Sequence, residues 1–182
     1  MKLVNIKRSY RTLALFSVTV FSIAVITGCG PSPKAVAHMV DTNGEPVGKV
    51  VLTEKEDGVA FFISLNNMPP GIHAFHVHET GSFDLPNFKD AGGHFNPFNK
   101  EHGLNNPRGA HAGDLPNIWV KEDGTCEDLM ITDKLTFEKG KKNSLFKEGG
   151  TSIIIHMGAD DHVTDPAGDA GKRIAGGIIE EL

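Results

Sequence analysis

The sequence predicts an all-β protein, an antiparallel sandwich of about eight strands interrupted by two long functional loops. Three observations lead there. Short β-rich runs alternate with turn signals from residue 35 onward, helix-forming composition is thin between those turns, and 21 glycines and 10 prolines are scattered without a collagen-like period. At 182 residues, 39% hydrophobic and 23% charged, the chain has the apolar material for a compact domain, which excludes fibrous and wholly disordered classes.

Residues 1–28 read as a signal peptide. Lys2, Lys7, Arg8 and Arg11 open it, and the uncharged, mostly apolar run 12–26 is short for a spanning helix and suited to a secretory core. The run ends in Ile26-Thr27-Gly28-Cys29, which resembles a bacterial lipobox. Cys29 is therefore the expected lipidation site, with residues 29–35, including Gly30-Pro31-Ser32-Pro33, as a tether. The mature protein is expected outside the cytoplasmic membrane, anchored to the bacterial cell membrane as a lipoprotein carrying palmitate or a similar acyl chain. Removal of residues 1–28 leaves 14 basic against 23 acidic residues, a balance of −9. Nucleic acid is excluded as a partner, because phosphate contacts need a basic stripe. With Cys29 acylated, Cys126 stands alone and no intramolecular disulfide can form.

A single domain is expected over residues 36–182. Runs 35–40 and 49–54 flank Thr42-Asn43-Gly44-Glu45-Pro46, where Asn-Gly tolerates positive φ and marks a hairpin reversal. Run 59–65 places Phe61, Ile63 and Leu65 on one face, although Phe62 spoils the alternation. Further strands are expected at 72–79, 117–121, 129–135, 151–157 and 173–179. Two long connections, 80–116 and 158–172, break the rhythm. Loops of more than about 12–15 residues are uncommon in compact domains unless functional or disordered, and a long loop rich in histidine can be ordered by metal.

Six of the nine histidines, His73, His76, His78, His94, His102 and His111, fall within 39 residues, a density that points to a metal site. His76-Val77-His78 puts two imidazoles on one face of a strand. His94 follows a Gly92-Gly93 turn, and His111 lies three residues before Asp114. Three histidines and an aspartate suit a closed tetrahedral zinc site. A site rich in neutral imidazole with an open position suits Cu(II), and His156 could complete it.

At this point the chain resembles the copper/zinc superoxide dismutases. The matching segments are Gly71-Ile-His-Ala-Phe-His-Val-His-Glu79, Gly92-Gly-His-Phe-Asn-Pro97, His102-Gly103, His111-Ala-Gly-Asp-Leu-Pro116, Ile155-His156 with Asp160-Asp161, and Gly171-Lys-Arg-Ile-Ala175. The resemblance implies a Greek-key arrangement and two cofactors, Cu and Zn. It makes His76, His78, His94 and His156 copper ligands, and His94, His102, His111 and Asp114 zinc ligands, with His94 bridging both ions. It makes Asp160 a carboxylate that links His76 to His102 from outside the ligand shell, and Arg173 the receiver of the superoxide anion. His73 would hydrogen-bond backbone and bind no metal. The implied reaction turns superoxide into dioxygen and hydrogen peroxide, with His94 taking up and delivering a proton. A homodimer is left open.

The chain departs from the family where its intramolecular disulfide belongs, with Phe83 at the loop position and Gly176 at the C-terminal one. Phe83 is expected to pack where that bond would lie. His38 and His162 read as ordinary surface or loop histidines, Lys172 as a solvated charge, Trp119 as core or dimer surface and Cys126 as an inert thiol. Two other readings stand beside the enzyme: a non-catalytic copper-binding or copper-delivery lipoprotein on the same scaffold, and an immunoglobulin-like adhesion module with incidental histidines. Arg173 and the filled bridge position favour the enzyme.

Overall fold

The computed structural model describes residues 33–182, which fold almost entirely into antiparallel strands and loops. The expected signal peptide, Cys29 and residues 29–32 of the tether lie outside the described residues. In chain order the strands are β1 (Pro33–Asp41), β2 (Pro46–Lys55), β3 (Gly58–Leu65), β4 (Gly71–His73), β5 (Phe75–His78), β6 (Ile118–Val120), β7 (Cys126–Thr132), β8 (Ser152–His156) and β9 (Arg173–Glu181). Seven form one curled sheet in the order β5-β8-β9-β1-β2-β3-β7, and β4 pairs with β6.

The strand expected over 72–79 is broken at Ala74. The Ala74 N–H donates to the Gly158 carbonyl and its own carbonyl accepts from the His156 N–H, so this residue leaves both ladders. His73 before the break pairs with Ile118 of β6, while Phe75 after it pairs with Ile155 of β8. One run thus serves two sheets, and the count is eight strand paths, close to expectation. β6 lies alongside β7, the far end of the larger sheet, so the structure curls back on itself. The β3–β4 and β7–β8 connections cross between its halves, a Greek-key route.

Side chains of Val50, Leu52, Phe61, Ile63 and Leu65 fill the interior from β2 and β3. Phe62 does not break the alternation. It points outward at 39% exposure, opposite Leu129 of β7, as half of an apolar cross-strand pair. The strand expected at 129–135 starts and stops earlier, as β7. Gly124 at φ 79 closes a turn onto Lys121, which lets pairing begin at Cys126, and Thr132 Oγ1 accepts from the Lys134 N–H to end it. Burial pushes the Cys126 thiol up to about 11, which keeps it protonated and unreactive.

β8 is buried on both faces. Ile153 and Ile155 join the main core, whereas Ile154 packs with Phe88 and Ala91 in a second, smaller core that Phe83 and Val40 flank. That smaller core exists because the loop 80–116 lies over the outside of β8 and β9.

Candidate metal centre

Val77 explains how a long loop becomes a rigid frame. Its N–H donates to the Gly113 carbonyl at 2.9 Å, its carbonyl accepts from the Phe95 N–H at 2.8 Å, and the Gly113 N–H donates to the Phe95 carbonyl at 2.9 Å. Two distant turns of the loop are thereby laid against β5, opposite His76 and His78. Gly113 has to be glycine, since a Cβ there would stand 2.1 Å from the Val77 carbonyl oxygen.

Two four-donor clusters of buried side chains result, beside a third group of His76, His102 and Asp160. His76, His78, His94 and His156 bring one ring nitrogen each to a common point, and His94, His102, His111 and Asp114 form a second group. His94 belongs to both. Around Asp114 Oδ1 lie His94 Nδ1 at 2.8 Å, His102 Nδ1 at 3.1 Å and His111 Nδ1 at 3.2 Å. Two ligand atoms about 2.0–2.1 Å from a tetrahedral ion are roughly 3.3 Å apart, so these spacings suit one ion at the centre. The other carboxylate oxygen of Asp114 accepts the N–H groups of Gly103 and His111, each at 2.9 Å.

Four buried ring nitrogens, His76 Nδ1, His78 Nε2, His94 Nε2 and His156 Nε2, face the first centre with no hydrogen-bond partner among the described residues, whereas those facing the second, on His94, His102 and His111, lie against Asp114 Oδ1. Leaving a buried polar atom unpaired costs about 1–3 kcal/mol, and four converging ones are explained by an ion. The four-imidazole set fits copper, and the three-histidine, one-carboxylate set fits zinc. On His76, His78, His102 and His156 the opposite ring nitrogen is engaged. His76 Nε2 and His102 Nε2 each donate to Asp160, one per carboxylate oxygen, at 2.9 Å. His78 Nδ1 donates to the Gly92 carbonyl at 3.0 Å and His156 Nδ1 to that of Gly171 at 3.2 Å. Such contacts select the tautomer that leaves the other nitrogen free for a metal.

Burial sets the charge states. It depresses the His94 imidazole to about 4 and the His156 imidazole to about 3, and it holds His78 well below the usual histidine value and His76 below it. At neutral pH these rings are neutral and ready to bind. His102 goes the other way, to about 9: burial opposes its protonation, but bonds to Asp114 and Asp160 outweigh it. Burial would raise Asp114 and Asp160, yet the histidine bonds outweigh it and hold both carboxylates far below their usual range.

A cleft of about 430 Å³ opens onto His94, His111 and His156, with Arg173 and Glu79 in its wall. Arg173, half-buried at the start of β9, donates through Nη1 to the Phe88 carbonyl and through Nη2 to the Gly92 carbonyl at 2.6 Å. Lys172 is exposed. His73 faces two backbone carbonyls, those of His156 at 2.9 Å and Pro69 at 2.7 Å, and stands outside both clusters.

Three residues that hold the site carry no sequence signal. Asn117 clamps Asp160 with two reciprocal bonds to its backbone, at 2.9 and 2.8 Å. Asp165 accepts the His102 N–H at 2.7 Å. His162, expected to be an ordinary loop histidine, is half-buried with Nδ1 3.3 Å from Asp160 Oδ2. At the disulfide position, Gly176 meets the ring of Phe88, whose Cδ1 would be 2.8 Å from a Cβ there. Phe83 sits one layer further out, edge-on to Phe88 at 5.2 Å.

The sequence profile of copper/zinc superoxide dismutases matches residues 47–179. The chain is 51% identical over 148 residues to a Cu-Zn superoxide dismutase of Aquifex aeolicus, an alignment covering 81% of this chain and 88% of the other. The crystal structure of a superoxide dismutase-like protein from Bacillus subtilis matches with a TM-score of 0.78 at 41% identity, over 81% of this chain and 99% of that one. A Cu/Zn superoxide dismutase from Brucella abortus matches with a TM-score of 0.65 at 31% identity, over 80% of this chain and 98% of that one.

Proposed function

The chain belongs to the copper/zinc superoxide dismutase family, and from that premise we propose how its own residues carry the reaction and where in the cell they do so. It is a superoxide dismutase with copper and zinc as cofactors: two superoxide anions and two protons become one dioxygen and one hydrogen peroxide. Copper, when bound, supplies the one-electron cycle between Cu(II) and Cu(I). We assign its ligands as His76, His78, His94 and His156, and those of zinc as His94, His102, His111 and Asp114.

The observation that carries this assignment is the place of His94 in both clusters. Its Nδ1 faces the zinc group and its buried Nε2 faces the copper group. That nitrogen can hold a proton and hand it to the departing peroxide, while the zinc side keeps the ring in place. Asp160 ties one histidine of each group to a single carboxylate, which links the two sites mechanically. Arg173 receives the anion: two of its five N–H donors are committed to carbonyls, and the other three have no partner among the described residues. With the mature chain at −9, attraction of an anion depends on this local charge. Reconstitution of the full chain with copper and zinc is expected to give superoxide decay that slows as salt rises. A fully loaded, inactive protein would favour the copper-delivery reading, which the complete ligand set and Arg173 argue against.

For location, the basic start, the apolar run and Cys29 support a lipoprotein outside the cytoplasmic membrane. β1 pairs antiparallel with β9 so that Ala35 lies opposite Glu181, at the far end of β9 from Arg173. A tether leaving there would turn the cleft away from the lipid surface. Cys29→Ser is expected to abolish incorporation of labelled palmitate into the protein with its activity unchanged; label retained by the variant would overturn the lipid anchor.

A further inference from the structure

The peptide unit between Gly92 and Gly93 joins two side chains assigned above to the reaction. Its carbonyl oxygen, on Gly92, accepts from two functional side chains at once, His78 Nδ1 at 3.0 Å and Arg173 Nη2 at 2.6 Å. Its N–H, on Gly93, donates to Glu79 Oε1 at 2.9 Å. Because a peptide is planar, the direction of one end dictates the direction of the other.

Left to itself, this peptide would not hold its direction. Glycine on both sides makes rotation of the plane cheap, and Gly92 sits at φ 74 and ψ −153, a conformation open essentially to glycine alone. Glu79 supplies what the glycines lack. Its backbone N–H donates to the Gly93 carbonyl at 3.0 Å, so it grips Gly93 at both polar groups. Its Cγ and Oε1 occupy the space beside Gly92, 2.8 and 2.7 Å from where a Cβ would stand. Glu79 is itself anchored, since its carbonyl accepts Lys147 Nζ at 2.7 Å. A carboxylate on the N–H also polarises the peptide and strengthens its carbonyl as an acceptor.

We propose that Glu79 is a positioning residue for superoxide dismutation, its carboxylate locking the Gly92–Gly93 peptide so that one carbonyl aims both the His78 imidazole and the Arg173 guanidinium. The claim rests on the assignment of His78 to copper and Arg173 to the anion. It also accounts for an acidic side chain in the wall of a cleft that takes an anion, where negative charge by itself would slow the substrate.

The full chain, loaded with copper and zinc, tests this with two variants. Glu79→Ala removes both acceptor and charge, whereas Glu79→Gln keeps an acceptor oxygen for the Gly93 N–H and removes only the charge. Glu79→Ala is expected to lower kcat/KM about tenfold, the usual weight of one charge-assisted bond, to shift the Cu(II) electron paramagnetic resonance spectrum and to weaken azide binding. It should also speed amide exchange at Gly93 in the metal-free protein. Glu79→Gln should recover most of the wild-type spectrum, azide affinity and rate, the remaining deficit reporting the charge lost from the bond. An unshifted Glu79→Ala spectrum with unchanged Gly93 exchange would overturn the lock, as would a Glu79→Gln variant as impaired as Glu79→Ala. A wild type that binds no copper would instead overturn the ligand assignment, and the metal-free exchange measurement still decides the lock.

Discussion

His94→Ala is expected to lower dismutase activity by at least about 100-fold and to weaken both metal sites together. The size follows from its two roles. A positioned proton donor contributes typically 10²–10⁴-fold, and this ring also completes both donor clusters. Among the described residues no other is shared between the two four-donor clusters: Asp114 and His111 belong to the one proposed for zinc, His78 and His156 to the one proposed for copper. The distinguishing measurement is metal content beside activity. His111→Ala should lose zinc while retaining copper, whereas His94→Ala should lower occupancy at both sites, read by elemental analysis after dialysis. A His94→Ala protein that holds both ions tightly and keeps its rate would remove the bridge from the mechanism.

The donors themselves are legible in the sequence because their chemistry and spacing are local. His76 and His78 are two apart in a strand, and His94, His102, His111 and Asp114 are gathered in one loop whose length already calls for an ordering agent. What assembles them is not local. Val77, an unremarked apolar residue between two histidines, uses its backbone to seat both turns of the loop, and no side-chain pattern announces that. Ala74 breaks the strand for a similar reason, by bonding to Gly158 and His156 instead of continuing the ladder. Asn117 and Asp165 act across 43 and 63 residues, through backbone groups whose partners only the fold supplies. Phe83 shows the opposite error, since an aromatic residue can be placed by type and still be given the wrong neighbour: the space beside Gly176 is filled by Phe88.

Phe88→Ala is expected to destabilise the protein by about 3–5 kcal/mol, the usual cost of emptying a buried phenylalanine site, and to lower Tm by roughly 6–20 °C. Phe88 is fully buried, and its ring fills the space that Gly176 leaves by lacking a Cβ. It therefore joins the loop to β9 at the place where the family's disulfide would do so. A disulfide is typically worth about 2–4 kcal/mol, so aromatic packing of this size is an adequate substitute in energy. It is also a substitute in direction, because the Phe88 carbonyl accepts from Arg173 Nη1 and ring packing holds that carbonyl toward β9. Two further results follow from a tie made by packing. Reducing agents should leave both Tm and activity unchanged, since Cys126 is the only cysteine among the described residues and is unpaired. Phe88→Leu should recover much of the stability lost in Phe88→Ala and, with it, most of the rate, because a bulky apolar side chain still presses the loop against Gly176. If Phe88→Ala melted like wild type, the Val77 frame and the metal centre would suffice to hold the loop, and Arg173 would owe its place to Gly92 instead.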